Sequence, residues 1–236
     1  MTRRLLIVPA RRGSKRIKNK NILNFYGKPI IEYGLDVAYK SKLFTTIHIS
    51  TNDPKINIKY NKNEKNNFLR PNNLSTDKIP LTKVLKFVLN RYEKLGDGYD
   101  EIWMMLPCSP LLDKKVLHRA KNLLTKKNCD AFTTVGKSRV PFYWYYRLKN
   151  NKLIPFFKNY INRPSQSLPN TYYEIGILAG WKTKYFKKCI KNKKEFSFLP
   201  IILNFFQSFD IDTYEDLNIV KTIFKFKLNK YAKKIK

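Results

Sequence analysis

Leu5-Leu6-Ile7-Val8-Pro9-Ala10-Arg11-Arg12-Gly13-Ser14-Lys15-Arg16, with Lys20-Asn21 just beyond, is the stretch from which the rest of the chain is read. Four apolar residues in a row predict a buried first strand. The strand opens into a loop with one glycine, one serine and several cations. Such a loop suits a polyphosphate: backbone N–H groups and the Ser14 hydroxyl cradle the oxygens, and Arg and Lys balance the charge. It is not a Walker A loop, because Gly-Lys-Ser/Thr is missing, nor a dinucleotide fingerprint, because Gly13 stands alone. The alternative reading is a basic surface turn.

Outward from that strand, strand-like and helix-like segments alternate. Pro29 to Ser41 reads as an amphipathic helix, Thr46 to Ser50 as a strand rich in β-branched residues, and Leu81 to Leu95 as a helix. Glu101 to Leu106 reads as a strand, and Asp113 as the cap of a helix to about Leu124. Ala131 to Val135 is a further strand. The alternation predicts an α/β fold: a mainly parallel sheet with helices on both faces and right-handed crossovers. Ligands of such a sheet sit at the carboxyl ends of the strands, where the Pro9 to Asn21 loop begins.

From Val140 to about Tyr173 the pattern breaks. Pro141-Phe142-Tyr143-Trp144-Tyr145-Tyr146 is dense in aromatics with no clean period, and Asn150-Asn151-Lys152 reads as a turn. That much aromatic surface needs a cover: a second subunit, or a hairpin folded on its own core. The chain returns to the sheet around Ile177 to Gly180 and ends in a helix from Thr213 to Phe226. A basic tail, Lys225 to Lys236, reads as a solvated helix end. The expected organisation is one domain over residues 1–236, with an arm at about 140–173 inserted in it.

Composition sets limits. The chain has 236 residues, 43% of them hydrophobic, enough for one sizeable core. No apolar run is long enough to span a membrane, and the run behind the two N-terminal arginines stops at Pro9, too short for a signal peptide. A cytoplasmic protein is the default expectation. Cys108, Cys129 and Cys189 are an odd number without metal or redox spacing, and two histidines argue against a histidine-based zinc site. Cys108 beside Ser109 reads as a small buried residue before it reads as a nucleophile. The net charge of +31 invites a nucleic-acid reading. Lysine is spread along the whole chain, however, and no nucleic-acid recognition motif accompanies it. A positive field attracts small anionic substrates equally well.

The loop, with Lys20-Asn21 after it, resembles the signature of the nonulosonic acid cytidylyltransferases, the CMP-N-acetylneuraminic acid synthetase-like family. The resemblance continues through Gly27-Lys28-Pro29, Ser50-Thr51-Asn52-Asp53, Phe68-Leu69-Arg70-Pro71, Ser109-Pro110-Leu111, Gln166-Ser167-Leu168-Pro169 and Asp210-Ile211-Asp212. It implies a nucleotide-diphospho-sugar transferase-like, Rossmann-like fold. It also implies a homodimer in which the arm embraces the second subunit. The implied reaction moves CMP from CTP to the anomeric hydroxyl of an acidic nine-carbon sugar and releases pyrophosphate, with Mg2+ or Mn2+ as cofactor.

Residue by residue, the resemblance sets Ala10, Arg11, Gly13, Ser14, Lys15, Lys20, Asn21 and Arg70 at the nucleotide, with Arg11, Lys20, Asp210 and Asp212 catalytic. Arg16 adds charge at the pyrophosphate end. For Arg70 a surface ion pair is the competing reading. Asp210 and Asp212 are expected on a strand, where positions two apart share a face and both carboxylates reach one hard cation. The family's metal-holding Asp-x-Asp falls here. Thr213, with Glu215 and Asp216 behind it, is expected to cap the last helix. For the sugar, the resemblance points to Ser109, Arg163, Gln166, Tyr172 and Glu174. For Arg163, a fork that suits a carboxylate, a place on the dimer rim is the equal alternative.

Three departures bear on the sugar. The sialic acid enzymes carry Gln where this chain has Leu106. A small hydroxyl residue expected after Arg70 is replaced by Leu81, with Thr82 adjacent. Tyr173-Glu174-Ile175-Gly176-Ile177 lacks the usual Asn-Gly-Ala. A loop ending Ser-Lys-Arg and an acidic residue near Gly176 are features of the pseudaminic acid branch. Legionaminic acid and 3-deoxy-octulosonate enzymes remain alternatives, as does a basic nucleic-acid-binding protein.

Overall fold

The computed structural model of the chain describes residues 2–232. In chain order it forms β1 (Arg4–Pro9), β2 (Asn24–Phe25), β3 (Lys28–Pro29), α1 (Ile30–Ser41) and β4 (Thr46–Ser50). There follow α2 (Pro54–Tyr60), α3 (Leu81–Lys94), β5 (Glu101–Met105), α4 (Lys114–Leu124) and β6 (Ala131–Lys137). The rest is β7 (Tyr146–Lys149), β8 (Lys152–Pro155), β9 (Tyr172–Lys182), α5 (Thr183–Asn192), β10 (Leu199–Leu203) and α6 (Tyr214–Ala232).

Six strands make the central sheet in the order β10-β6-β9-β5-β1-β4. β1 runs parallel to β4 and β5, and β10 parallel to β6, while β9 alone runs antiparallel to its neighbours. The run Leu5–Val8 is apolar throughout because both faces of β1 are covered. Leu6 and Val8 pack with Ile31, Leu35 and Ala38 of α1 and with Val116 and Leu117 of α4. Leu5 and Ile7 turn to Leu85, Val88 and Leu89 of α3 and to Phe186 of α5. Alternate residues of one strand thus feed two separate cores.

A third cluster positions the site. Ile17 from the basic loop, Cys108 and Leu111 from the segment after β5, Ile211, and Leu217 and Val220 of α6 pack together with Phe25 and Ile30. Apolar burial therefore pins three loops from distant parts of the chain to one another.

Three expectations change, and the turn expected at Asn150-Asn151-Lys152 is found where it was read. Asp210 to Asp212 do not lie on a strand; the chain there is an irregular segment between β10 and α6. The return to the sheet spans Tyr172–Lys182, and α2, α5 and β10 are additional elements. The aromatic run opens an arm whose β7–β8 hairpin turns at Asn150 and Asn151, with φ of 49° and 57°. Two successive left-handed residues make the tight turn whose twist suits a hairpin, and Asn tolerates them. Finally, the last helix runs on to Ala232, and residues 233–236 of the basic tail lie outside the described residues. Among the described residues no helix is long and apolar enough to cross a membrane.

The arm is covered only in part. Tyr143 stacks on Tyr160 at 4.7 Å between ring centroids, and Phe157 packs edge-on against Phe142 and Tyr143. That is a small core of its own. Tyr145, Tyr146, Leu148, Leu153 and Phe156 remain exposed, the two leucines by about two thirds.

Candidate active site

At the carboxyl end of β1 the chain leaves the sheet and turns back twice. Gly13 takes φ 86° and Asn19 φ 53°, left-handed conformations open to Gly and tolerated by Asn. Hydrogen bonds inside the loop fix its shape. Ser14 Oγ donates to Ile17 O at 2.7 Å and accepts from Lys20 N at 2.9 Å. Asn21 Nδ2 donates to Arg11 O at 3.0 Å. With Ile17 buried beneath it, the loop holds Arg11, Lys15, Arg16 and Lys20 around one cleft of about 530 Å³. That volume suits a small-molecule site.

The far wall of the cleft carries Asp210 and Asp212. Their side chains share a face because Ile211 between them is fully buried in the third cluster. Residues 210–212 are not a strand, yet burial of the middle residue has the same consequence. Burial pushes the Asp210 carboxyl up from its ordinary value, and the Lys20 charge opposes this. Lys20 Nζ donates to Ile211 O at 2.6 Å and lies 3.2 Å from Asp212, which also pairs with Arg16 at 2.9 Å. Behind them α6 begins with a capping box. Asp216 Oδ2 accepts from the backbone N–H groups of Asp212 and Thr213 and from the Thr213 hydroxyl, while Asp216 N donates to Thr213 Oγ1.

Two carboxylates beside a cationic loop fit a magnesium ion, which is held by one or two protein oxygens plus substrate phosphates. Among the described residues no cluster of three or more acidic, histidine or cysteine side chains could hold an ion alone. Cys108 also lines the cleft, but burial pushes its thiol up to about 12, so it is no thiolate nucleophile at neutral pH.

The other candidate residues are placed as follows. Ala10 is buried and its N–H donates to Ser50 O at 2.9 Å, so it extends the sheet instead of facing the cleft. Gly13 lines a small adjoining hollow with Arg12, Asn19 and Asp53. Arg70 is not a surface residue, and among the described residues it pairs with no acid. It is 4% exposed, its backbone N–H bonds Thr51 O, and its guanidinium bonds Ser50 O. Burial, with the nearby Arg11 charge, pushes it down to about 10, and its Nε has no partner. Ser109 is buried too, its hydroxyl donating to Leu106 O at 2.7 Å. Arg163 and Gln166 lie on the exposed arm; Arg163 donates to Asn159 O and sits 4.7 Å over the Tyr160 ring. Tyr172 is half exposed, and Glu174 accepts from Thr133 Oγ1 at 3.1 Å. None of these five sugar candidates lines the cleft of this single chain.

Two residues of the site escape a reading by motif. Asp77 lines the cleft and pairs with both Arg11 and Lys15. Its one sequence signal is isolation: it is the sole acidic residue between Glu64 and Glu93. Gln207 is buried and donates to Asp113 at 3.0 Å, tying the segment before Asp210 to the cap of α4.

A doubly covered, mainly parallel sheet with a phosphate-type loop on its first strand and paired carboxylates opposite defines a nucleotidyltransferase. A cytidylyltransferase family model matches residues 5–231, and the chain belongs to that family. Pseudaminic acid cytidylyltransferase of Campylobacter jejuni is 29% identical over 94% of this chain and 96% of its own length. N-acylneuraminate cytidylyltransferase of Escherichia coli is 24% identical over 94% of this chain and 52% of its own. Among solved structures, a CMP:2-keto-3-deoxy-manno-octonic acid synthetase complexed with CTP superposes with a TM-score of 0.68 at 12% identity. That match covers 96% of this chain and 100% of the other, and it shows the fold.

Proposed function

We propose that this cytidylyltransferase moves CMP from CTP to the anomeric hydroxyl of a nonulosonic acid of the pseudaminic type. The observation that carries the reading is a single cleft in which Arg11, Lys15, Arg16 and Lys20 face Asp210 and Asp212. The hydroxyl oxygen bonds to the α-phosphorus, the bond to the bridging oxygen breaks, and pyrophosphate leaves with the electron pair. The hydroxyl proton is lost to the medium. The loop cations hold the triphosphate oxygens and stabilise the charge that grows on the leaving pyrophosphate. Asp210 and Asp212 hold a divalent metal, Mg2+ or Mn2+, which when bound supplies Lewis-acid stabilisation at the α-phosphate. The net charge of +31 draws both anionic substrates toward the cleft. A CTP-dependent reaction supports a cytoplasmic setting.

The sugar assignment rests on two observations. The side chain of Leu106, a residue that lines the cleft, offers no hydrogen bond where the sialic acid enzymes carry Gln. The pseudaminic relative also matches better than the N-acylneuraminate one, at 29% against 24% identity. The test is pyrophosphate release with each of the four nucleoside triphosphates, magnesium and a panel of nonulosonic acids. CTP with pseudaminic acid should give the highest kcat/KM; a preference for another triphosphate sinks the reading, and a preference for another acid sinks its sugar half.

The exposed rings of the arm support a homodimer, since aromatic residues and arginine are what interface centres favour. In that arrangement Arg163 and Gln166 complete the partner's sugar site. Sedimentation at micromolar concentration should show a dimer. Changing Trp144 and Tyr145 to Ser should abolish both assembly and activity in a protein that stays folded. A clean monomer with full activity contradicts the shared site.

A further inference from the structure

The loop cations of the cleft are each already matched by a carboxylate, and the two carboxylates differ. Asp212 sits in the Asp-x-Asp segment, pinned by the buried Ile211 and by the cap of α6. Asp77 belongs to no such frame. It bonds Arg11 through one oxygen and Lys15 through the other, at 2.9 Å for the lysine. The Lys15 hydrogen bond, and the charge of Arg11, hold its carboxyl below the ordinary range, so it is ionised at neutral pH. It forms no cation-binding cluster with Asp210 and Asp212. Chemically it is an anion placed on the two cations that the proposed function assigns to phosphate.

The segment that carries it is built to let go. Residues 71–80 run between Pro71 and Pro80 and include no buried residue. Their backbone bonds are local: Leu74 N to Pro71 O, Ser75 N to Asn72 O and Ile79 N to Thr76 O. Ser75 Oγ likewise bonds Pro71 O. Among the described residues, the side-chain contacts of Asp77 are the only hydrogen bonds or ion pairs that tie Asn72–Ile79 to a distant part of the chain. Arg11 and Asp77 are both partly exposed, and an ion pair in contact with water is weak enough to be exchanged.

We propose that Asp77 is a built-in competitor of phosphate: it occupies Arg11 and Lys15, gives way as the triphosphate binds, and returns as pyrophosphate leaves. The inference rests on the proposed phosphate role of the loop. Its consequence is a lowered affinity for pyrophosphate, so that the product is released and does not block the site. The strap from Pro71 to Pro80 then moves with each turnover, outward with nucleotide and inward after release.

The probe is inorganic pyrophosphate without metal, titrated calorimetrically into wild type, Asp77→Asn and Asp77→Glu, with folding checked by circular dichroism. At low ionic strength Asp77→Asn should bind pyrophosphate about three- to tenfold more tightly, the scale of two partly exposed ion pairs. Asp77→Glu, which keeps the charge, should stay close to wild type. The gain should shrink as salt screens the pairs. It should vanish when Arg11 and Lys15 are both changed to Ala, because the carboxylate acts through them. Asp130→Asn, a carboxylate paired with Lys182 at the opposite end of the sheet, corrects for net charge and should not reproduce the gain. If wild type binds pyrophosphate and Asp77→Asn binds it equally or less well, the competitor is refuted and the phosphate site stands. If neither binds it, both are refuted.

Discussion

Asp210→Asn and Asp212→Asn are each expected to lower cytidylyl transfer by about a hundredfold or more, the scale on which electrostatic stabilisation of a transition state is lost. The two carboxylates line the same cleft as the loop cations, held there by the burial of Ile211. The loss should be deepest at limiting magnesium. Catalysis and folding part company at Asp210. Burial already pushes its carboxyl up, meaning that the charged form is disfavoured in the fold. An uncharged Asn should therefore leave the melting temperature unchanged or higher in metal-free buffer while activity collapses. Near-normal turnover by both variants at limiting magnesium would show that the metal lies elsewhere.

Lys20→Ala should cost about a hundredfold in kcat/KM for CTP, and Arg11→Ala about tenfold, from charge-assisted hydrogen bonds worth roughly 1.5–3 kcal/mol each. The difference comes from what each cation already holds. Lys20 does two jobs: it contributes a charge to the cleft, and its Nζ ties the basic loop to Ile211 O and Asp212. Its removal should loosen the Asp210–Asp212 segment as well as the basic loop. Arg11 is already neutralised in part by Asp77, so its net contribution to nucleotide binding is smaller. Both side chains lie outside the three cores, so the variants should fold normally. Unchanged CTP kinetics in both would remove the loop from the nucleotide site.

Where one physical cause dominates, the sequence was legible. Leu5 to Val8 reads as a buried strand, and Val84, Leu85, Val88 and Leu89 stand at helical spacing; all four are buried in α3, and Leu85, Val88 and Leu89 pack with Leu5 and Ile7. Asp113 caps α4 as its position suggests, accepting from Val116 N. The elements that escaped notice have weak signals. In α5 only Thr183, Phe186 and Cys189 are buried among many lysines. β10 is an edge strand and so accommodates Pro200, a residue that argues against a strand when read alone.

The site divides in the same way. The basic loop and the paired aspartates announce themselves because their residue types are unusual at that spacing. Asp77 does not, because its significance lies in a contact with residues more than sixty positions earlier in the chain. The burial of Ser109 and Arg70 was equally hidden, since it depends on loops that meet only in the fold. The arm residues Arg163 and Gln166 do not line the cleft, although the motif around them is legible in the sequence.

The most direct measurement is phosphorus NMR of one reaction containing the protein, CTP, magnesium and pseudaminic acid. The CTP resonances should give way to a single phosphodiester and an equal amount of pyrophosphate, and omission of the sugar should stop the change. Release of orthophosphate from CTP, or loss of CTP at the same rate without sugar, would contradict the proposed reaction.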